Sequence, residues 1–225
     1  MASSTTIGII GYGVVGKAID YTLSSKYSIK KFDIIKEYDG FSDICKSDFV
    51  FVSVPTPFDS SDQKVDLSSV EVSLDELSQN DYKGIVIIKS TVPPGITDYL
   101  LEKSSLKLCF NPEFLRESVS ANDDFENQDL VILGTNNSNI FEDVKTMYSQ
   151  VLKQNSRYVQ VSPTTAEMIK YSQNATLASR VAIANIIFDA CEKFDVDYSV
   201  VKSLGFDSFE ILGPYMVEVP GPDGK

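Results

Sequence analysis

Short apolar segments alternate with helix-compatible segments through most of this chain, and this alternation limits the possible folds more than any other feature. The strand-like runs cover residues 6–10, 27–34, 49–54, 84–88, 106–110, 129–133 and 157–161. The segments with helical spacing cover residues 14–23, 65–77, 97–103 and 140–152. Several of the strands are apolar almost throughout, as expected for strands buried on both faces. The pattern predicts an α/β fold, a doubly wound parallel sheet of the Rossmann-like type with helices on both faces.

After Ser162 the pattern changes to one helical segment from about Thr164 to Phe194. Roughly 30 residues make a helix of about 45 Å, and its apolar residues lie on more than one face. Such a helix must be buried on several sides, by the sheet domain and by a second copy of the chain or another domain. We therefore expect a Rossmann-like domain at residues 1–162, a central helical segment at 163–225, and a homodimer through the long helix.

Composition excludes several classes of function. The 225 residues carry a formal charge of −12 and contain no histidine. The acidic balance disfavours nucleic acid and anionic membranes as partners, and catalysis must use Lys, Glu, Asp, Cys or a cofactor. Three cysteines at wide spacings favour reduced thiols over disulfides or a metal site, so no metal is expected. With no apolar run of membrane length and a strand starting near Thr6, we expect a cytoplasmic protein without a signal peptide.

A glycine-rich turn joins the first predicted strand to the first predicted helix. The glycines of Gly11-Tyr-Gly-Val-Val-Gly16 permit a tight turn, close approach of a pyrophosphate and close packing of helix and strand. Asp33, 22 residues after Gly11, would accept hydrogen bonds from a ribose and repel a 2′-phosphate, which favours NAD over NADP. The alternatives are glycines that serve only a turn and an acid at a solvated strand end. The candidate NAD-binding residues here are Gly11, Tyr12, Gly13, Val14, Val15, Gly16 and Asp33.

Three further segments follow predicted strands, where a doubly wound sheet collects its ligands. They are Val54-Pro-Thr-Pro57, Ser90-Thr-Val-Pro-Pro-Gly95 and Phe110-Asn-Pro-Glu-Phe-Leu-Arg-Glu117. On the long helix, Lys170 and Asn174 are four residues apart and share a face. Taken alone, the first two segments are turns, the third is a solvated loop, and Lys170 is a surface lysine. The alternative for Lys170 is a partly dry site, where its ammonium can stabilise an oxyanion or carry a proton.

In this order, and with Glu-x-x-Lys-Tyr-x-x-Asn-Ala-x-Leu-Ala on the long helix, the motifs resemble the UDP-glucose/GDP-mannose dehydrogenase family from residue 6 to residue 225. The resemblance implies an enzyme that oxidises the C6 alcohol of a nucleotide sugar to the acid with two NAD in succession. UDP-glucose is the nearest candidate substrate. The segment Val219-Pro-Gly-Pro-Asp-Gly224 is similar to a segment that leads, in some members, into the loop of a nucleophilic cysteine.

The resemblance also implies roles for individual residues. Val54, Pro55, Thr56, Ser90 and Thr91 would line the nicotinamide side of NAD, with Glu117 also at the cofactor. Glu113 would activate or position the water that hydrolyses a thioester, and Thr91 would help to order it. Lys170 would stabilise the negative oxygen at C6 or take its proton, and Asn174 would hold the sugar. The implied substrate-binding residues are Glu113, Phe114, Leu115, Arg116, Glu117, Lys170 and Asn174.

The sequence departs from the family pattern near its end. The family's cysteine loop and C-terminal domain have no counterpart up to Lys225, and Glu210-Ile-Leu-Gly213 stands where the family has Arg-Ile-Gly. None of Cys45, Cys109 and Cys191 replaces the nucleophile, and Cys109 and Cys191 are expected to be buried and inert. We therefore expect this chain to be inactive alone. Two alternatives stay open: a noncatalytic, dimeric NAD-binding module, and a 3-hydroxyacid-type dehydrogenase, which would leave the Asn111–Glu117 motif unexplained.

Overall fold

A computed structural model of the chain describes residues 5–115 and 120–208. These residues divide into two compact units after Lys170. The long helix begins at Pro163, where the domain boundary was expected. The two compact units divide further along that helix, after Lys170. The functional division at residue 162 stays a prediction.

The first unit is an α/β unit. Its strands are β1 (Thr6–Ile10), β2 (Ser28–Phe32), β3 (Phe49–Val52), β4 (Phe58–Asp59), β5 (Lys64–Val65), β6 (Ile85–Ile88), β7 (Lys107–Phe110), β8 (Leu130–Gly134) and β9 (Arg157–Val161). Its helices are α1 (Val14–Leu23), α2 (Phe41–Ile44), α3 (Ser68–Gln79), α4 (Ile96–Lys103), α5 (Ala121–Glu126), α6 (Ser138–Ser149) and the first turns of α7 (Pro163–Lys193). The predicted elements are all present, with ends that move by a few residues.

Seven strands form one sheet in the order β2-β1-β3-β6-β7-β8-β9. The order reverses between β1 and β3, which places the ligand crevice beyond the carboxyl ends of these two strands. The doubly wound, mostly parallel α/β class is confirmed. β7 pairs with β8 antiparallel, through Phe110 and Gly134, while the other pairs are parallel. An apolar run indicates that a strand is buried, but it does not indicate whether the strand is parallel or antiparallel to its neighbours.

Two hydrophobic clusters cover the two faces of the sheet. Ile7, Ile9 and Phe51 pack with α1, α5 and α6 on one face. Ile10 and Val52 pack with α2, α3, α4 and the start of α7 on the other. Because both faces are covered, strands β3 and β6 are buried almost along their whole length, and they form a rigid platform for the loops that come after them.

Sequence reasoning missed the small elements. Helices α2 and α5 have only four and six residues, too few to show helical periodicity. The β4–β5 hairpin takes up residues 58–65, so the helix expected to start at Val65 begins at Ser68.

The second unit contains the rest of α7, helix α8 (Tyr198–Lys202) and a π-helical turn at Ser203–Asp207. Asp197 caps α8 by accepting a hydrogen bond from Ser199 N at 2.8 Å, and the ring of Phe188 meets that of Tyr198 edge-on. Several apolar residues of α7 are exposed, among them Leu177, Ile183 and Ile186. Within the part of the chain that the structure describes, none of the helices combines the length and hydrophobicity that a bilayer crossing requires.

Candidate functional site

The β1–α1 turn has the shape that a dinucleotide requires. Gly11 adopts a φ of +87°, and a Cβ there would lie 2.6 Å from the carbonyl oxygen of Ser53. A Cβ on Gly16 would collide with the carbonyl oxygen of Gly11. Gly13, the N-cap of α1, is exposed and has open space around its Cβ position. Gly11 and Gly16 thus close the turn, while Gly13 leaves the helix N-terminus accessible to a pyrophosphate.

Asp33 lies at the end of β2 and faces this turn. Its Oδ2 accepts a hydrogen bond from Tyr12 N at 2.7 Å, and its Oδ1 accepts one from Ile35 N at 2.8 Å. Each carboxylate oxygen keeps a further lone pair for a ribose hydroxyl. Tyr12 is itself fixed, because its hydroxyl bonds to Asp20 and its ring meets that of Tyr38 edge-on with centroids 5.0 Å apart.

A cavity of about 280 Å³ opens beside Asp33. Ile34 and Ile35 on its wall are 90% and 85% exposed, and Val54 and Val72 lie opposite in the lining. An apolar slot next to a ribose-binding carboxylate fits a flat base such as adenine. The residues present therefore fit a bound adenine dinucleotide.

The loops after β3 and β6 are joined to each other. Ser90 Oγ donates to Val54 O at 2.7 Å, and Thr56 Oγ1 donates to Thr91 O at 2.7 Å. The structure therefore brings together the five residues expected at the nicotinamide side, which are Val54, Pro55, Thr56, Ser90 and Thr91. They come after adjacent parallel strands, as the sequence analysis expects.

Glu113 and Lys170 form an almost buried ion pair. Lys170 Nζ lies 2.9 Å from Glu113 Oε1 and 2.5 Å from the Glu113 carbonyl oxygen, and the side chains of Lys170 and Glu113 are 8% and 12% exposed. Glu113 Oε2 accepts a hydrogen bond from Leu115 N at 2.8 Å, and the ring of Phe114 lies 5.4 Å from Lys170 Nζ. The surface-lysine alternative is wrong for Lys170, since its ammonium is held in a nearly dry site.

The remaining expected site residues do not all enter this geometry. Arg116, Glu117 and the segments from Glu210 to Gly213 and from Val219 to Gly224 lie outside the described residues. Asn174 lies four residues beyond Lys170 on α7, in the second unit, and is exposed. Cys109 and Cys191 are buried as expected, and burial raises the pKa of Cys109 to about 12.

Glu167 is one residue that sequence reasoning gave no role. Its side chain is completely buried, and its carboxylate accepts hydrogen bonds from Gly95 N at 2.5 Å and Thr97 N at 2.7 Å. It therefore attaches the loop after β6 to α7, one turn before Lys170. A charged residue three positions before Lys170 on the same helix was the available signal.

Lys89 is the second such residue. It comes directly after the apolar strand β6 and is 3% exposed, and its Nζ lies 3.2 Å from Asn111 Oδ1 and 5.4 Å from the ring of Phe125. Burial lowers the pKa of Lys89 to about 8, the nearby Glu113 carboxylate raises it, and the Lys170 ammonium lowers it. A lysine at the end of an otherwise apolar strand was the signal for this residue.

The doubly wound sheet, the glycine turn with Asp33 and the joined loops beyond β3 and β6 define a dinucleotide-binding scaffold. Residues 20–152 match the NAD binding domain of the UDP-glucose/GDP-mannose dehydrogenase family, and residues 164–222 match its central domain. The chain belongs to this family, as its motifs indicate. NAD is accordingly its cofactor.

Two curated relatives are UDP-glucose 6-dehydrogenases. The one from Rickettsia felis is 34% identical over 173 residues, covering 74% of this chain and 38% of the relative. The one from Haloferax volcanii is 33% identical over 194 residues, covering 78% and 45%. This chain therefore spans less than half the length of these relatives.

Solved structures share the fold. The UDP-glucose dehydrogenase of Pyrobaculum islandicum superimposes with a TM-score of 0.81 at 22% identity, covering 98% of this chain and 61% of that one. The GDP-mannose dehydrogenase of Pseudomonas aeruginosa gives a TM-score of 0.75 at 23% identity, covering 91% and 58%. At this identity the likeness concerns the fold alone.

Proposed function

We propose that the chain is the NAD-binding and part of the sugar-binding portion of a nucleotide-sugar 6-dehydrogenase, with UDP-glucose as the favoured substrate. The observation that carries this proposal is the buried Glu113–Lys170 pair in the unit that also contains the dinucleotide turn. In the same proposal, residues 1–162 form the NAD-binding domain and 163–225 the central segment, and the protein is a cytoplasmic homodimer through α7.

The chemistry divides between the cofactor and the side chains. NAD, when bound, accepts the hydride from the sugar carbon. Lys170 Nζ stabilises the negative oxygen at C6, because its positive charge sits where little water screens it. Glu113 positions the hydrolytic water with Thr91, and Ser90, Thr56, Val54 and Pro55 hold the nicotinamide side. Phe114, Leu115, Arg116, Glu117 and Asn174 complete the sugar site in this proposal.

The nucleophile of the proposed reaction is not supplied by Cys45 or Cys109. Burial raises the pKa of both thiols, to about 12 for Cys109, so little thiolate is present near neutral pH. Both side chains also pack against the hydrophobic clusters of the sheet. This supports the expectation that the chain alone does not turn over its substrate.

Calorimetric titration of the chain tests the proposal. We expect NAD to bind, NADP to bind more weakly because Asp33 repels a 2′-phosphate, and UDP-glucose to produce no NADH absorbance. Lys170→Met should weaken binding of UDP-glucose and leave NAD affinity within about twofold, since Lys170 lies outside the dinucleotide turn. Lys103→Met, at an exposed lysine of α4, is the matched control.

Other outcomes identify the alternatives. NAD binding with no affinity for any nucleotide sugar would favour the noncatalytic module. Oxidation of a small 3-hydroxyacid would favour the 3-hydroxyacid-type dehydrogenase. Absence of NAD binding would contradict the proposal that this chain forms the NAD-binding portion of the enzyme.

A further inference from the structure

A buried polar network lies beneath the segment that carries Glu113. Asn111 is 1% exposed, and its backbone N donates to Ile88 O at 2.9 Å. Its Nδ2 donates to Ile132 O at 2.8 Å, and its Oδ1 accepts hydrogen bonds from Tyr148 OH at 2.7 Å and Lys89 Nζ at 3.2 Å. The Asn111 side chain is therefore held from three elements of the sheet unit, two residues before Glu113.

Lys89 also shares a cavity with the site. It lines a space of about 400 Å³ together with Glu113, Phe114, Leu115 and Phe125. Because the Lys89 side chain is buried, its ammonium interacts with a nearby carboxylate more strongly than it would in water. The proposed chemistry assigns Lys170 to the substrate oxygen and leaves Lys89 without a role.

We propose that Lys89 is a positioning residue. Its charged ammonium, hydrogen-bonded to Asn111, fixes residues 111–115 after β7 and so holds the Glu113 carboxylate next to the Lys170 ammonium. The inference rests on the proposed function for the importance of Glu113 and uses only contacts within the first unit. When Lys89 loses its proton, the attraction to Glu113 is lost and the hydrogen bond to Asn111 weakens. The position of Glu113 then changes with the charge of Lys89.

Several other charged or titratable groups surround Lys89, and their titration ranges must be separated from its own. Burial raises the pKa of Cys109 to about 12 and that of Tyr148 well above its usual value, so neither titrates near pH 8. The groups on the elements around Lys89 are Cys109, Glu113, Asp123, Asp124, Asp129, Tyr148 and Lys170.

The amide of Leu115 provides the readout, because its N–H donates to Glu113 Oε2 and so reports on the carboxylate. We would follow its ¹H–¹⁵N chemical shifts in the full 225-residue chain from pH 7 to 9, without NAD or sugar. We expect one inflection with a midpoint near pH 8. The amide of Val70, which donates to Leu67 O at 3.0 Å and belongs to the cluster on the opposite face of the sheet, should show none.

Variants identify the titrating group. The inflection should disappear in Lys89→Met and in Lys89→Gln, which keeps a donor toward Asn111 without the charge, and should persist in Lys103→Met. An inflection that survives in either Lys89 variant, or a flat Leu115 titration in the unmodified chain, would overturn the proposal. The unmodified chain decides the question even if a variant does not fold. Because no ligand is present, failure here leaves the NAD and sugar titrations unaffected.

Discussion

At the residue scale, the two charged side chains without a predicted role are the most deeply buried ones around the site. Glu167 is 0% exposed and Lys89 is 3% exposed. Sequence reasoning could not assign their roles, because their partners are distant in the chain: 70 and 72 residues for Glu167 and 22 for Lys89. Local patterns predict which residues are buried, but long-range hydrogen bonds depend on how the strands are ordered in the sheet.

Replacing Glu167 with glutamine should destabilise the chain. Gly95 N and Thr97 N donate to different carboxylate oxygens, and glutamine has an NH₂ donor in place of one of them, so one buried N–H faces a donor and loses its partner. We expect a loss of about 1–3 kcal/mol in the free energy of unfolding, measured in urea. Glu102→Gln, at an exposed acid of α4, is the control and should change stability by less than about 0.5 kcal/mol. Equal stability of the two variants would contradict the assigned role.

Lys89 should give the stability of the chain a measurable pH dependence. Its pKa falls from 10.5 to about 8 on folding, so between these values the unfolded chain holds one more proton than the folded chain. The free energy of unfolding therefore rises with pH in this window, by up to about 1.4 kcal/mol per pH unit. Cys109 contributes with the opposite sign above pH 9, because its pKa is raised.

The comparison with Lys89→Met isolates this effect, since both proteins contain Cys109 and the buried tyrosines. From pH 8 to 10, the unfolding free energy of the unmodified chain should rise relative to that of the variant. Parallel curves from urea titrations at each pH would rule out a depressed pKa for Lys89.

At the scale of elements, the β1–α1 unit is predictable from sequence down to its end residues. The strand 6–10, the glycine turn and the helix 14–23 appear where the pattern places them. All the signals in this unit are local: an apolar run, then glycines, then helical spacing. The β4–β5 hairpin and the antiparallel direction of β8 depend on pairing with distant or weakly patterned segments, and neither was predicted.

Gly11→Ala should disrupt this element. The φ of +87° and the 2.6 Å approach to Ser53 O mean that a methyl group would move the turn away from β3. We expect at least a tenfold loss of NAD affinity by calorimetry, and a loss of about 1–3 kcal/mol in stability. Gly40→Ala is the matched control, because a Cβ there makes only ordinary contacts, starting at 3.6 Å. Unchanged NAD affinity in Gly11→Ala would argue against a dinucleotide at this turn.

At the scale of the whole molecule, the open question is association through α7. Leu177, Ile183 and Ile186 are 51%, 49% and 67% exposed on a helix of 31 residues. Sedimentation at micromolar concentration should show a dimer, and Ile186→Lys should shift it toward the monomer by placing charges in an apolar contact. Ser179→Lys, at an exposed polar position of α7, is the control. A monomeric unmodified chain would contradict the proposed homodimer.

The first turns of α7 also restrict how the length of this chain can vary. Glu167 and Lys170, three residues apart, reach two different loops, at Gly95 and at Glu113. Each inserted residue rotates the remainder of a helix by about 100° around its axis. One residue gained or lost between Glu167 and Lys170 would therefore turn one of these two side chains away from its loop. Restoring that contact by rotating the helix would break the contact of the other side chain. Insertions and deletions should be tolerated in the β4–β5 hairpin and excluded from the segment between Glu167 and Lys170.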